Sequence, residues 1–375
     1  MDFSLNDDQK LLRDSVAKFV KGSYDFEARR RRVRELASFD ATLWQQMADL
    51  GWLALPFAEA DGGIGGTLVD TMILLEEFGR GLVVEPYLPT VVLGGGFLRR
   101  GTAQQRAKWL PALLEGRLQM AFAVHEYERA GHIENTAMTA RRDGHAIILD
   151  GVKQLVLNGD KADLLVVLAR SAGQPGERDG LSLLLVDARA EGVERIAHRT
   201  VDGGMAAEIR FQRVVLGDDA IIGSWQQGAK LADAVIDEAI LALGAEATGA
   251  LSVLLYGTVE YSKQRKQFGV PIGSFQALQF RMADMFMRYE QTRSLLLCAT
   301  LKVQEGHADA RQAVHALKVQ LGTAGRRIAQ DAIQIHGGMG MTDELNIGHY
   351  FKRLTAIDAL FGNADHHLRA YAAAS

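Results

Sequence analysis

The sequence is short of cysteine, proline and surplus charge. Cys298 is the single cysteine in 375 residues. No internal disulfide can therefore form, and a cysteine-rich zinc site is excluded. Only six prolines are present, most of them in the first third of the chain, where they read as loop residues. Forty-two basic residues face 46 acidic ones, a formal charge of −4. That balance gives no basic excess for nucleic acid and no acidic tail. No apolar run reads as long enough to span a membrane. The opening, MDFSLNDDQKLL, has neither a basic n-region nor an apolar h-region and does not read as a signal peptide. These absences lead us to expect a cytoplasmic protein with no nucleic-acid and no membrane partner. What is present is ordinary globular material, 48% hydrophobic and 23% charged, enough for a sizeable core and two or three domains.

Three textures follow one another along the chain. Residues 1–120 carry helical periodicity. Leu12, Val16, Phe19 and Val20 share a face, Asn6 with Gln9 resembles a capping box, and FAEADGGIGG is a loop. Over 121–222 the period changes to two. MTARRDGHAIILDG has two Asp-Gly pairs flanking β-rich runs, a hairpin signal, and LLVVLA, LSLLLVDA and EIRFQRVVL follow. From 223 to the end the pattern is helical again, in segments near 229–264, 277–305, 308–335 and 350–372. The expected fold class is α+β: an N-terminal helical domain (1–120), a middle antiparallel β-domain (121–222) and a C-terminal four-helix bundle (223–375).

Two stretches of the last region carry residues suited to a ligand. In YSKQRKQFGVPIGSFQ, a charged helix ends near Gln267 and a second begins after Gly273. Arg265 beside that break has the planar, bidentate chemistry that suits phosphate, and Phe268 can pack on a ring. In QIHGGMGMT, after a helix ending at Ile333, Gly337 and Gly338 permit close backbone approach. Taken singly, the first is equally an interhelical turn and the second a helix C-cap.

Their combination with GWLALPFAEADGGIGG and MDFSLNDDQKLL, in this order around a β-region, resembles the acyl-CoA dehydrogenase family over essentially the whole chain, and within it the small-subunit branch. The resemblance implies FAD, an acyl-CoA thioester, and α,β-dehydrogenation in which a base takes the α-proton and a hydride leaves the β-carbon. It also implies that the adenosine–pyrophosphate half of FAD is held by a neighbouring subunit. The positions that match that role are Arg265, Phe268, Gln334, Gly337 and Gly338, with Gln276 as a further polar contact.

The flavin-ring half departs from the family pattern. FAVHEYERAGHIEN stands where Thr-Glu-Pro and Gly-Ser-Asp are usual, so His125 replaces the Thr and Tyr127 the Pro. Leu155 and Leu157 replace the Trp and Thr of Trp-Ile-Thr-Asn-Gly. A leucine at 157 has no donor, and an unpaired flavin edge costs roughly 1–3 kcal/mol. The usual base position is Gly362. The alternative one, in the first bundle helix, is Ala239. Glu238 is its neighbour, but one residue along a helix turns a side chain by about 100°. Its ordinary role is a salt bridge. His366 and His367 with Asp365 invite a metal reading, yet adjacent helical residues do not share a face, and no metal is expected. His336 reads as a packing or capping residue.

Three readings stay open at this point. In the first, the chain is the small subunit of a heteromeric, α2β2 acyl-CoA dehydrogenase, lending the adenosine side of FAD to a large subunit that supplies the base. In the second it is a self-sufficient flavoenzyme with a displaced base, Glu238. In the third it is a cofactor-free assembly protein with the same fold.

Overall fold

A computed structural model describes residues 5–35, 39–127 and 132–374. The helices of the first region are α1 (Asp7–Ser23), α2 (Phe26–Glu35), α3 (Ala41–Asp49), α4 (Leu68–Gly81), a wholly buried π-helical stretch (Leu88–Gly94) that runs into α5 (Gly95–Leu98), and α6 (Ala103–Leu114). The strands are β1 (Met120–Ala123), β2 (Thr139–Asp143), β3 (Ala146–Leu157), β4 (Leu164–Arg170), β5 (Leu181–Asp187), β6 (Val193–Arg199), β7 (Met205–Leu216) and β8 (Ile221–Ile222). Then come α7 (Gly228–Gln264), a small hairpin of β9 (Lys266–Gln267) and β10 (Val270–Pro271), α8 (Gln276–Gln304), α9 (Ala310–His336), α10 (Ile347–Ala359) and α11 (Ala364–Ala373).

The contacts divide the chain into two compact units. One contains 1–31, 68–83 and 240–375; the other contains 32–67 and 84–239. Two of the four boundaries fall inside α2 and α7, and the other two flank α4.

In the helical unit, α1 starts where the sequence says it should. Asn6 accepts from the Gln9 amide at 2.8 Å and the Gln9 side chain caps the Asn6 amide at 3.1 Å, a complete capping box. Val16 and Val20 are buried; Leu12 and Phe19 are only partly so. α4 crosses α7 at unusually short range, with Gly79 against the Glu246 carbonyl and Gly249 against the Glu76 carbonyl. Arg80 beside this crossing holds Glu76 (2.7 Å), Glu77 (3.1 Å) and Ser252 (2.7 Å). Arg353 of α10 makes a two-pronged pair with Glu246, at 2.6 and 2.7 Å.

The last expected helix is two helices. The chain turns at Phe361 (φ 57°) and Gly362 (φ 100°), and Asn363 caps α11 by accepting from the His366 amide at 3.0 Å. A β-carbon on Gly362 would meet the His366 ring at 2.5 Å, so the turn requires glycine. α9 also runs on to His336, past the Ile333 end expected of it, while α7 stops at Gln264, before Gln267. By length and composition α7 is apolar enough to cross a membrane, which corrects the expectation that no run is. Yet 89% of its most apolar window is buried inside the protein, as for a core helix.

In the other unit the sheet is mixed, where purely antiparallel pairing was expected. Its order is β6-β7-β3-β2-β4-β5-β8, with β1 also on β4. The β1–β4 and β2–β4 pairs are parallel and the rest antiparallel. β4 is buried at every position, which is why LLVVLAR reads as a continuous apolar run rather than an alternating one. Of the two Asp-Gly pairs, Asp143-Gly144 turns the β2–β3 hairpin. Asp150-Gly151 instead lies within β3 at a register shift. Gly151 there has φ 143° and would strike Met138 at 2.7 Å with a β-carbon, so it marks a bulge rather than a turn. Pro89 and Pro111 sit in helices, not in loops.

Candidate functional site

The helical unit brings the two glycine-bearing motifs together. Tyr261, in the last turn of α7, stacks on His336, the last residue of α9, with ring centroids 4.2 Å apart. His336 is buried, and its Nδ1 lies 2.8 Å from the Ala332 carbonyl, so it packs and caps as expected. Arg265 follows Tyr261 by four residues and Gly337 follows His336 directly, so the stack sets both motifs at one place.

The hairpin after α7 is closed by Phe268 (φ 52°) and Gly269 (φ 81°), both left-handed, as a two-residue type I′ turn demands. A bulky aromatic pays roughly 1–2 kcal/mol for that conformation. The side chain is nevertheless 95% exposed, with only a T-shaped contact to Phe275 at 6.3 Å. Arg265 is exposed and makes no ion pair among the described residues. Gln276 opens α8 and Gln334 lies in the last turn of α9, both exposed. Gly337 is left-handed (φ 64°), and a β-carbon on it or on Gly338 would meet nothing within 4 Å. The backbone there is open to close approach. An unpaired guanidinium, a displayed aromatic ring, two amides and an open glycine backbone fit the phosphates and adenosine of a dinucleotide.

The other unit carries the departures. Leu155 (φ 48°), where β3 bulges, and Asn158 (φ 59°), just after β3 ends, are left-handed, and Leu155 is 36% exposed. Asn158 is fixed by Gln119 at 3.1 Å and the Met120 carbonyl at 3.4 Å. Leu157 is half-buried and offers no hydrogen bond from its side chain. Tyr127 is exposed. Residues 128–131 of the altered run lie outside the described residues. His125 is half-buried, and desolvation, with the Lys153 charge adding, pushes its imidazole down to about 4. It is a neutral ring at physiological pH. No local sequence pattern marks the group beside it. Lys153 is fully buried and donates to Glu126 at 2.7 Å and to the Val124 carbonyl at 3.1 Å.

The candidate bases fare differently from the residues suited to a dinucleotide. Glu238 is buried and gripped by Arg99, with Arg100 on its other oxygen at 2.5 Å. The structure therefore gives it the salt-bridge role. No sequence signal pointed to Arg99 and Arg100, which lie some 139 positions away. Ala239 is buried, and the 361–363 turn holds no carboxylate.

The histidines at 366 and 367 do not build a metal site. Among the described residues no group of three or more metal-ligating side chains is assembled. His367 is buried, and its Nε2 donates to the Phe361 carbonyl at 3.0 Å. Its Nδ1 therefore accepts, from the His315 Nδ1 at 2.9 Å. Burial pushes the His367 ring down to about 3.

Three family models match the chain in sequence. The acyl-CoA dehydrogenase N-terminal domain matches residues 6–117, the middle domain 121–214 and the C-terminal domain 226–375. A probable acyl-CoA dehydrogenase of Bacillus subtilis, YngJ, is 28% identical over 353 residues, covering 92% of each chain. Among solved structures, PigA with FAD and proline is similar at 26% identity and a TM-score of 0.92, over 100% of this chain and 99% of that one. The ChsE4–ChsE5 complex from Mycobacterium tuberculosis has a chain similar at 26% identity and 0.90, over 100% and 98%.

Proposed function

Because the chain belongs to the acyl-CoA dehydrogenase family, we propose that it is an FAD-dependent oxidoreductase that removes hydrogen from the α and β carbons of an acyl-CoA thioester. The observation that carries the cofactor is the open cradle: unpaired Arg265, displayed Phe268 and the unobstructed Gly337 and Gly338. FAD supplies the hydride acceptor when bound. Arg265 holds its pyrophosphate charge, Phe268 covers an adenosine face, and Gln334 with Gln276 completes the polar contacts. The strain at Phe268 is then offset by burial of the ring on binding.

Full-length similarity to YngJ, whose name is that of a dehydrogenase in its own right, supports an enzyme complete by itself. In that reading Glu238 acts as base only if it leaves Arg99 and Arg100. A second reading is favoured by a specific observation: Glu238 is held in an ion-pair clamp and the 361–363 turn has no carboxylate. Here the chain is one subunit of a mixed α2β2 assembly. It lends its adenosine-side residues to a large subunit that supplies the base, as the likeness of GHYFKRLTAIDALFGNADHHLR to the small subunit of pimeloyl-CoA dehydrogenase also supports.

Both readings require Arg265 for the cofactor. Arg265→Ala is expected to lower FAD affinity tenfold or more, measured by flavin retained after gel filtration, with the fold unchanged because the side chain is exposed. Full retention of FAD by this variant would remove the cofactor reading.

A further inference from the structure

Seven carboxylates are buried among the described residues. Five of them, Glu77, Asp233, Glu238, Glu246 and Asp331, are held by arginines. Asp202 takes the Thr200 hydroxyl. Glu85 alone has neither a cation nor a hydroxyl. Its Oε1 has one long contact, 3.4 Å from the Asp40 amide, and its Oε2 has no hydrogen-bond partner. Among the described residues no charged side chain acts on it. Burial holds its carboxyl up, at about 7, against the pull of backbone amides.

This contact joins the two places where the chain enters its unit. Segments 32–67 and 84–239 make up that unit, and Asp40 and Glu85 lie near the start of each. Asp40 is the N-cap of α3. Its carboxylate accepts from the Thr42 amide at 3.0 Å and the Leu43 amide at 3.4 Å, and lies 3.4 Å from Arg32 of α2. A helix N-terminus favours an anion, but Asp40 already occupies those amides. Glu85 is left with the amide of the cap residue itself. On its other side the Tyr87 amide donates to the Glu85 carbonyl at 2.8 Å, and the wholly buried π-helical stretch follows. A neutral carboxyl is tolerated in such a place. An ionised one, dry and without a cation, either takes back a proton or has to reach water.

We propose that Glu85 is a proton-controlled clasp between these two segments. Neutral, it keeps residue 40 and the first turn of α3 seated on residues 84–87. Ionised, it draws in water and lets that turn lift while the rest of the unit stays folded. The opening equilibrium rises with pH, by up to about tenfold per unit, until the seated carboxyl is itself ionised. The clasp needs no cofactor, so it stands or falls independently of the FAD reading.

The test is hydrogen exchange of the full chain at pH 5 and pH 8, corrected for the intrinsic exchange rate, in wild type and in Glu85→Gln. The Asp40 amide, which donates to Glu85, and the Trp44 amide, which donates to the Asp40 carbonyl at 2.9 Å, report the clasp. Amides of β4, buried at every position, report global unfolding. In wild type, protection at Asp40 and Trp44 is expected to fall by about tenfold or more from pH 5 to pH 8, and to lie well below that of β4 throughout. In Glu85→Gln it changes by less than about twofold. Protection at Asp40 and Trp44 that does not move with pH in wild type overturns the proposal, even if β4 loses protection, because Glu85 then titrates only on global unfolding. An equal fall in wild type and variant overturns it as well. Glu85→Met, which also cannot ionise, gives the same answer should Glu85→Gln fail to fold.

Discussion

Gly249→Ala is expected to destabilise the protein by about 3 kcal/mol or more, the largest effect of any one-carbon change considered. A β-carbon at 249 falls 1.9 Å from the Glu76 carbonyl oxygen, and one at Gly79 falls 1.9 Å from the Glu246 carbonyl oxygen. Both obstructions are backbone atoms in regular helices, so neither can swing aside. α4 and α7 must separate by more than 1 Å at their crossing, which opens voids on both sides, and overpacking of that kind typically costs 1–3 kcal/mol or more. The Arg80 contacts to Glu76, Glu77 and Ser252 sit on the same crossing and would be stretched with it. Gly79→Ala is expected to match it. The double variant costs less than the sum, because one separation relieves both clashes. Gly257→Ala is the control. It lies on an exposed part of the same helix with nothing within 4 Å of its β-carbon, and alanine there should add about 0.5–1 kcal/mol. Urea melts of the three single variants and the double variant check the ranking.

Glu85→Gln is expected to stabilise the protein above pH 7 and to destabilise it by about 1–2 kcal/mol at pH 4. Glu85 is 6% exposed. One oxygen accepts a long contact from the Asp40 amide at 3.4 Å, and the other has no hydrogen-bond partner among the described residues. Desolvation raises its carboxyl from 4.5 to about 7, against the opposing pull of nearby backbone amides. A group whose folded value is raised holds its proton more tightly when folded. Below about 4.5 it is neutral in both states. As pH rises from about 4.5 through about 7 the unfolded chain ionises first and stability falls, and above that the loss is constant. A carboxyl held at about 7 instead of 4.5 loses ~3 kcal/mol of stability by this route. The amide of glutamine removes the titration but leaves an N–H without an acceptor, so a net gain of about 1–2 kcal/mol remains above pH 7. Chemical denaturation of both proteins from pH 4 to pH 8 checks it. Parallel curves would show that Glu85 is not the titrating group.

The residues proposed for the cofactor stand out in the sequence because they lie in short, contiguous runs. Arg265, Phe268, Gly337 and Gly338 are each within a few positions of a helix end, where local chemistry fixes conformation. The β2–β3 hairpin and the Asn6–Gln9 cap were legible for the same reason. What was not legible depends on contacts between distant positions. Nothing in the local sequence of Glu238 marks Arg99 and Arg100 as its partners, and Lys153 looks like a surface residue until β3 folds it inward onto Glu126. The split of the last helix was half visible. Phe361-Gly362-Asn363 has the glycine and the N-cap of a helix break, but the apolar period continues across it and masks the break. Asp150-Gly151 carries the same dipeptide as the true turn at Asp143-Gly144; only pairing with β7 makes it a bulge.

The claim most in need of trial is that this chain binds FAD and passes electrons to it from an acyl-CoA. The direct measurement is a visible spectrum of the chain purified alone and loaded with FAD, freed of unbound flavin, followed by anaerobic addition of a panel of saturated acyl-CoA thioesters. The account predicts a bound-flavin spectrum that at least one thioester bleaches. Bound flavin that no thioester bleaches contradicts the self-sufficient enzyme and leaves the mixed assembly, in which a large subunit restores bleaching. A colourless protein, with all FAD in the filtrate, also contradicts the self-sufficient enzyme; flavin still absent when the chain is purified together with a large subunit contradicts the assignment of Arg265, Phe268, Gly337 and Gly338 to the cofactor.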